Sequence, residues 1–377
     1  MVDEEESIDE EERKTIVIDN GSGFIKAGFS GEEEPRSVFL NVIGTPKYKN
    51  QFSENEYFIG EDAKAKRGVL KFNYPIKRVM VKNWDYVEKI WDHTFKELKI
   101  DPVEYNILLT HPLKNLKENI EKIAQIMFET FNFKALNLSH STLLSLYASG
   151  KFDGMVIDFG DGTTQFAAII DGYEVPEYSE RINLGGKDIT KYFDKLLNTK
   201  GVNNKIEKLH KEIIRDIKEK SGYIPLDYHE ELKSLKPFDY QLPDGTHILI
   251  DEKRIKYPMS LIFDPKLKWR EEKSFPKICN DLIMKCDVDK AILYGHIVLS
   301  GGNSMFKGLP EKFDKEIKAL APSSFEEIIK IYASPVRNIE SWIGGAIVSN
   351  LSTSEKIFVK KENYEEEGIK IIEKKFA

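Results

Sequence analysis

The chain has 377 residues, 41% hydrophobic and 32% charged, with a formal net charge of −7 and a sequence pI of about 5.7. That length exceeds one ordinary core and predicts two domains or more, while the acidic balance argues against direct nucleic-acid binding, which needs a basic face. No apolar run is long enough to cross a bilayer, and the two cysteines, Cys279 and Cys286, cannot make a four-ligand zinc site and read as buried thiols of a reducing compartment.

In chain order, Met1 to Glu12 is acidic where a secretory signal would be basic, so no export is indicated. Asp3–Glu12 reads as a solvated tail or, alternatively, a contact for a basic partner. Ile16–Asp19 and Phe24–Phe29 read as strands around the turn Asn20-Gly21-Ser22-Gly23. Pro35-Arg36 and Gly44-Thr45-Pro46 mark loops, and Lys47–Tyr57 is polar and aperiodic, an exposed loop. Glu88–Leu98 predicts a helix with Ile90, Trp91, Thr94, Phe95 and Leu98 on its apolar face. Asn106–Thr110 predicts a buried strand stopped by His111-Pro112, with His111 as a turn residue. Leu116–Phe131 is amphipathic at helical spacing, and Ser139–Ser149 predicts a short helix ended by Gly150.

Met155–Ile157 then predicts a buried strand that ends in Asp158, turns over Gly160-Asp161-Gly162, and returns as Gln165–Ile170. Gly185-Gly186-Lys187-Asp188 opens a helix to Leu197, and paired glycines at a helix start suit an anion. Lys205–Lys220 predicts a helix buried along Ile206, Leu209, Ile213 and Ile217. Its other side carries Glu212, Arg215, Lys218 and Glu219, by themselves surface ion pairs worth little. Leu242-Pro243-Asp244-Gly245 is a hairpin turn, and Phe275–Met284 a helix. The strand from Ile297 breaks at Gly301-Gly302 before Met305, a third place where backbone could approach a phosphate or ribose. Ser341-Trp342-Ile343-Gly344-Gly345-Ala346 opens a late helix whose small residues suit close packing. Strands mixed with helices throughout predict an α/β architecture.

A lone strand–Asp–Gly-turn–strand is most simply a β-hairpin. The second copy changes that reading. Two such units predict two similar lobes, each offering an anion-binding turn to one ligand between them. Asp19 and Asp158 would then face one divalent cation through water, and Lys26 would add a cation for phosphate oxygens.

Longer runs carry a family resemblance: Asp19–Gly23 through Gly28-Phe29, Lys66-Arg67-Gly68, Tyr74-Pro75-Ile76, Asn83-Trp84-Asp85, Gln125–Asn132, Ser145–Gly150, Arg215–Lys220, Met284–Asp289, Leu299–Gly302 and Trp342–Gly345. In that order, the chain resembles actin and the actin-related proteins along nearly its whole length. The resemblance implies a two-lobed actin-like ATPase fold, each lobe an RNase H-like mixed sheet with flanking helices. It implies lobe one at 1–149 and 339–377, with a small inserted subdomain about 41–75, and lobe two at 150–338, with an insertion about 187–275. It further implies ATP with Mg²⁺ or Ca²⁺. Gly21, Ser22, Gly23 and Lys26 match the first phosphate loop; Gly160, Asp161 and Gly162 match the second. Asp19 and Asp158 match the carboxylates that hold the metal through water. Glu212, Arg215, Lys218 and Glu219 fall where the family contacts adenine and ribose, and Gly186, Gly301, Gly302, Met305 and Phe306 on the remaining nucleotide wall.

Departures bear on activity. The family's water-positioning glutamine is Ser141 here, which reads as a helix N-cap, and its histidine after the second hairpin is Gln165. Phosphoryl transfer relies on positioned water and stabilised charge, so hydrolysis is expected to be weak at most, with His140 or Gln165 as the available substitutes. Phe159 replaces a small hydroxyl residue, so its ring must turn away or crowd the site, and Asn338 replaces a lysine. The loop Lys47–Tyr57 is shorter than in conventional actin, and the apolar plug reads Lys266-Leu267-Lys268-Trp269-Arg270. Three functions follow: a divergent cytoplasmic, filament-forming actin; a non-polymerising scaffold subunit of a larger complex, cytoplasmic or nuclear; and, weakest, a small-molecule kinase of the same superfamily. Tyr147, Ala148, Gly150, Gly172, Tyr173 and Leu351 resemble a family partner groove and favour the first.

Overall fold

A computed structural model describes residues 15–48, 56–78, 80–197, 209–227, 237–251, 259–268, 273–287 and 289–376. The acidic run Asp3–Glu12, most of the Lys47–Tyr57 loop, the start of the helix expected from Lys205, and Trp269-Arg270 lie outside them. The chain divides into two compact units, one of Met1–Ala63, Leu70–Ala148 and Ile339–Ala377, the other of Lys64–Val69 and Ser149–Asn338. Among the described residues no helix is long and apolar enough to cross a membrane.

The first unit is built on a six-stranded sheet. β1 (Thr15–Asn20), β2 (Phe24–Phe29) and β3 (Ser37–Leu40) form an antiparallel meander. β4 (Asn106–His111) runs parallel to β1, and β5 (Ala135–His140) parallel to β4. The strand Val359–Lys360 closes the far edge. β1 is buried along five of its six residues, the pattern of a strand covered on both faces. Alternation sorts its side chains. Ile16 and Ile18, with Leu109 and Leu138, face helix α1 (Trp84–Leu98) through Ile90, Trp91 and Phe95, and helix α2 (Lys117–Gln125) through Ile120 and Ile123. Val17 and Leu108 face the other way, onto Leu144, Trp342 and Ala346. Those three belong to helix α3 (Ser141–Ala148) and the late helix Glu340–Asn350. Here the small residues act as expected: a Cβ on Gly344 would stand 1.9 Å from the Leu144 carbonyl oxygen, so only glycine permits this approach.

Local signals moved several expected boundaries. α1 begins at Trp84 because the Asn83 side chain caps it, accepting from the Tyr86 N–H. The helix expected over Leu116–Phe131 is α-helical only to Gln125 and continues as one π-helical turn, Ile126–Thr130. Ser139 and His140, assigned above to a helix, end β5. His111 is the last residue of β4 rather than a turn residue.

The second unit centres on β6 (Gly154–Phe159) and β7 (Thr164–Ile170), antiparallel, with β8 (Ile297–Ser300) parallel to β6. Short strands Tyr173–Glu174, Glu180–Ile182 and Ile331–Tyr332 complete this sheet. Its core joins Ile157, Phe166 and Leu299 to Phe275, Ile278 and Ile283 of the helix Phe275–Lys285. A satellite core packs α4 (Gly186–Leu197) and α5 (Lys211–Ser221) against the hairpin Phe238–Gln241 with His247–Ile250. Cys279 lies inside the helix and Cys286 caps it; both are buried free thiols. Burial pushes the Cys286 thiol up to about 11.

Candidate functional site

In the first unit the candidate residues gather at the end of β1. Asp19 stands opposite Lys26 across the hairpin, and the Lys26 ammonium meets its carboxylate at 2.6 Å. Thr110 Oγ1 donates to Asp19 Oδ1 at 2.8 Å and accepts the Asn20 N–H at 2.9 Å. Burial opposes ionisation of Asp19, but the Lys26 charge and hydrogen bonds from Lys26, Thr110 and Ser341 hold its carboxyl below the usual range. The turn is braced by Asn41, whose side chain donates to the Gly21 carbonyl at 2.8 Å and whose N–H donates to Gly23 at 2.9 Å.

The second hairpin repeats the first position for position. Each has glycine two and four residues after the aspartate and a cross-strand partner seven residues on: Lys26 for Asp19, Gln165 for Asp158. A Cβ on Gly21 would stand 2.7 Å from the Phe24 carbonyl oxygen, and one on Gly160 2.8 Å from that of Thr163. The same clash, three residues downstream in both, marks one turn geometry used twice. Gln165 is buried, and its amide donates to Asp158 Oδ2 at 3.0 Å.

Around the second turn the other candidates converge. Asn303 donates to the Gly160 carbonyl at 2.8 Å and accepts from Lys218 Nζ at 3.4 Å; Lys218 also reaches the Gly186 carbonyl at 3.5 Å. Asp161 is ion-paired to Lys187 at 3.3 Å and to Arg215 at 3.8 Å. Burial opposes its charge, yet Arg215, Lys187 and Lys218 hold Asp161 below the usual range. Arg215 in turn meets Glu219 at 2.9 Å and Glu212 at 3.6 Å. Glu212, Arg215 and Lys218 are buried, so the surface-pair reading of this helix face is corrected: they form a desolvated network in which losing one partner is expensive. Phe306 is buried with its ring 6.0 Å from Lys218 Nζ, while Met305 is exposed. Gly301 adopts φ +87°, and a Cβ there would stand 2.4 Å from Asp158 Oδ1; at Gly302 nothing lies within 4 Å, so the chain leaves room beside it. Around the second turn, open glycine backbone and buried cations suit an anion. Among the described residues no three His, Cys, Asp or Glu side chains form a metal cage.

The departures also have defined places. Phe159 turns away from the turn: its ring is buried against Phe275 and Phe313. Ser141 is the first residue of α3 itself, since β5 runs directly into the helix without a separate cap. His140 is not on the Asp19 face. By strand alternation Thr110 shares the face of Asp19, and His111 and His140 lie on the opposite one. Their rings pack together, centroids 4.3 Å apart. Among the proposed partner residues, Tyr147 packs beside Trp342 and Leu351 is exposed in the first unit, while Tyr173 is exposed and Gly150 has φ +71° in the second.

Each of the two α/β units carries a strand-end aspartate over a glycine turn, one hairpin used twice. In a comparison with known families, the family described as Actin matches residues 10–377. The chain belongs to the actin family, and its mixed α/β fold is the fold of that family.

Proposed function

We propose that this actin-family protein binds ATP with Mg²⁺ or Ca²⁺, hydrolyses it slowly, and assembles into cytoplasmic filaments. The observation that carries the reading is the duplicated hairpin, with Asp19 and Asp158 at equal positions over equal glycine turns. Gly21, Ser22, Gly23 and Lys26 are assigned to one side of the phosphates, and Gly160, Asp161 and Gly162 to the other. Asp19 and Asp158 would hold the cation through water, and the cation would neutralise phosphate charge. Glu212, Arg215, Lys218 and Glu219 take adenine and ribose, and Gly186, Gly301, Gly302, Met305 and Phe306 form the remaining nucleotide wall. Slow hydrolysis follows from Ser141 and from Gln165, which stand where the family has its water-orienting glutamine and histidine; the Gln165 amide donates to Asp158.

Actin-binding-type partners are assigned to Tyr147, Gly150, Tyr173 and Leu351. A second reading, a scaffold subunit that does not polymerise and could be nuclear, draws on the exposed Lys266 beside Leu267. Burying such charge unpaired costs several kcal/mol, so a filament contact here needs acidic partners and weakens as salt rises. Pelleting with Mg-ATP at low and high KCl, with light scattering alongside, tests this. Polymer that falls with KCl supports charge-paired filaments. Polymer that strengthens steadily with salt contradicts the charge pairing, and ATP binding without polymer at any salt favours the scaffold.

A further inference from the structure

His111 and His140 end the adjacent parallel strands β4 and β5 in register, with their rings at 4.3 Å. His111 is buried, and its Nδ1 has no hydrogen-bond partner. An imidazolium carries two N–H donors, so charging this ring in place would bury both a charge and an unpaired donor. Burial first, then the neighbouring His140, holds His111 well below the usual histidine range, with only a Pro112 backbone hydrogen bond acting the other way. No carboxylate is among these influences.

The pair is joined by Thr110 to the first hairpin and by Ser141 to α3. Thr110, just before His111, holds both the Asp19 carboxylate and the Asn20 N–H. Ser141, just after His140, starts α3 and accepts the Ser145 hydroxyl on its carbonyl. Separation of the two strand ends therefore reaches both the support of Asp19 and the first turn of α3.

We propose that His111, packed on His140, is an acid-sensitive latch: neutral, its ring tilts against His140 and holds the ends of β4 and β5 together; protonated, it leaves that contact, Thr110 lets go of Asp19, and the first hairpin loosens. The consequence for ligand retention rests on the ATP reading above; the opening itself does not. Because the open form binds a proton that the closed form excludes, its population grows by up to about tenfold per pH unit below the ordinary histidine value.

The test is amide hydrogen exchange of the full, nucleotide-free chain at pH 7.5 and pH 5.5, corrected for intrinsic exchange. Wild type should lose at least tenfold protection over 106–111 and 135–145 on acidification. His140→Phe keeps a ring on His111 and should reduce that loss; His111→Phe with His140→Phe should abolish it. Should the double variant not fold, the half-buried single site decides. Equal acid-induced loss in wild type and His140→Phe, or none in wild type, overturns the latch. In parallel, release of a fluorescent ATP analogue should accelerate with acid in wild type, less so in His140→Phe, and not in the double variant. Absence of analogue binding at any pH would count against the ATP reading, while the exchange result would still decide the latch.

Discussion

Asp158 and Gln165 face each other across the second hairpin, where the Gln165 amide donates to the carboxylate at 3.0 Å. The equivalent pair in the first hairpin is an ion pair, Asp19 with Lys26 at 2.6 Å. One frame thus carries a compensated carboxylate in one copy and an amide-bound carboxylate in the other. Gln165 orients Asp158 with one of its amide N–H groups.

Hydrolysis should respond to exchange at two positions. Ser141→Gln with Gln165→His restores a water-directed amide and an imidazole, and phosphate release from bound ATP should rise by about 10²-fold, the low end for positioned acid–base groups. Single-turnover phosphate release checks this. A wild-type rate equal to that of a conventional actin, run side by side, would mean that another group already orients the water.

Lys26→Met should destabilise the first unit by about 3 kcal/mol, the lower end for breaking a buried pair, because Thr110 and Ser341 still donate to Asp19. The sign with pH is defined. In wild type the Asp19 carboxyl titrates below its ordinary value, so its contribution is full above that value and lost as pH falls through the lower, folded one. Without Lys26, burial is less opposed and the folded carboxyl titrates higher. The deficit of the variant against wild type should shrink from pH 7 to pH 4 in urea unfolding; parallel curves would contradict the role given to Lys26.

Much of this was legible in the sequence, and the limits have physical causes. Both hairpins could be read because strand, aspartate and glycines are contiguous, and the observed β2 has the expected bounds, Phe24–Phe29. The His111–His140 pair was not, because strands 29 residues apart in sequence make it and the last two residues of β5, Ser139 and His140, fall in the helix expected over Ser139–Ser149. The charged face of α5 has an ordinary amphipathic pattern; only packing against Gly186 and Asn303 buries Lys218. The π turn at Ile126–Thr130 keeps the apolar spacing of the helix it extends, so periodicity does not reveal it.

Phe159→Ser, which returns a small hydroxyl residue, should cost about 3–5 kcal/mol, since the ring fills the core against Phe275 and Phe313. It should leave ATP affinity unchanged at temperatures where the variant is folded. Urea unfolding paired with nucleotide titration checks both halves; a large gain in affinity would show that the ring had been crowding the ligand.

The most direct measurement for the account as a whole is the unfolding temperature of the purified chain with and without Mg-ATP. Binding to the native state alone raises it, by about 4 kcal/mol of added stability at 1,000 times Kd. Asp19→Asn with Asp158→Asn keeps the shape of both side chains and removes both charges. The account predicts a rise of several degrees in wild type that is lost in the double variant; no rise in wild type, or an equal rise in both, would contradict it.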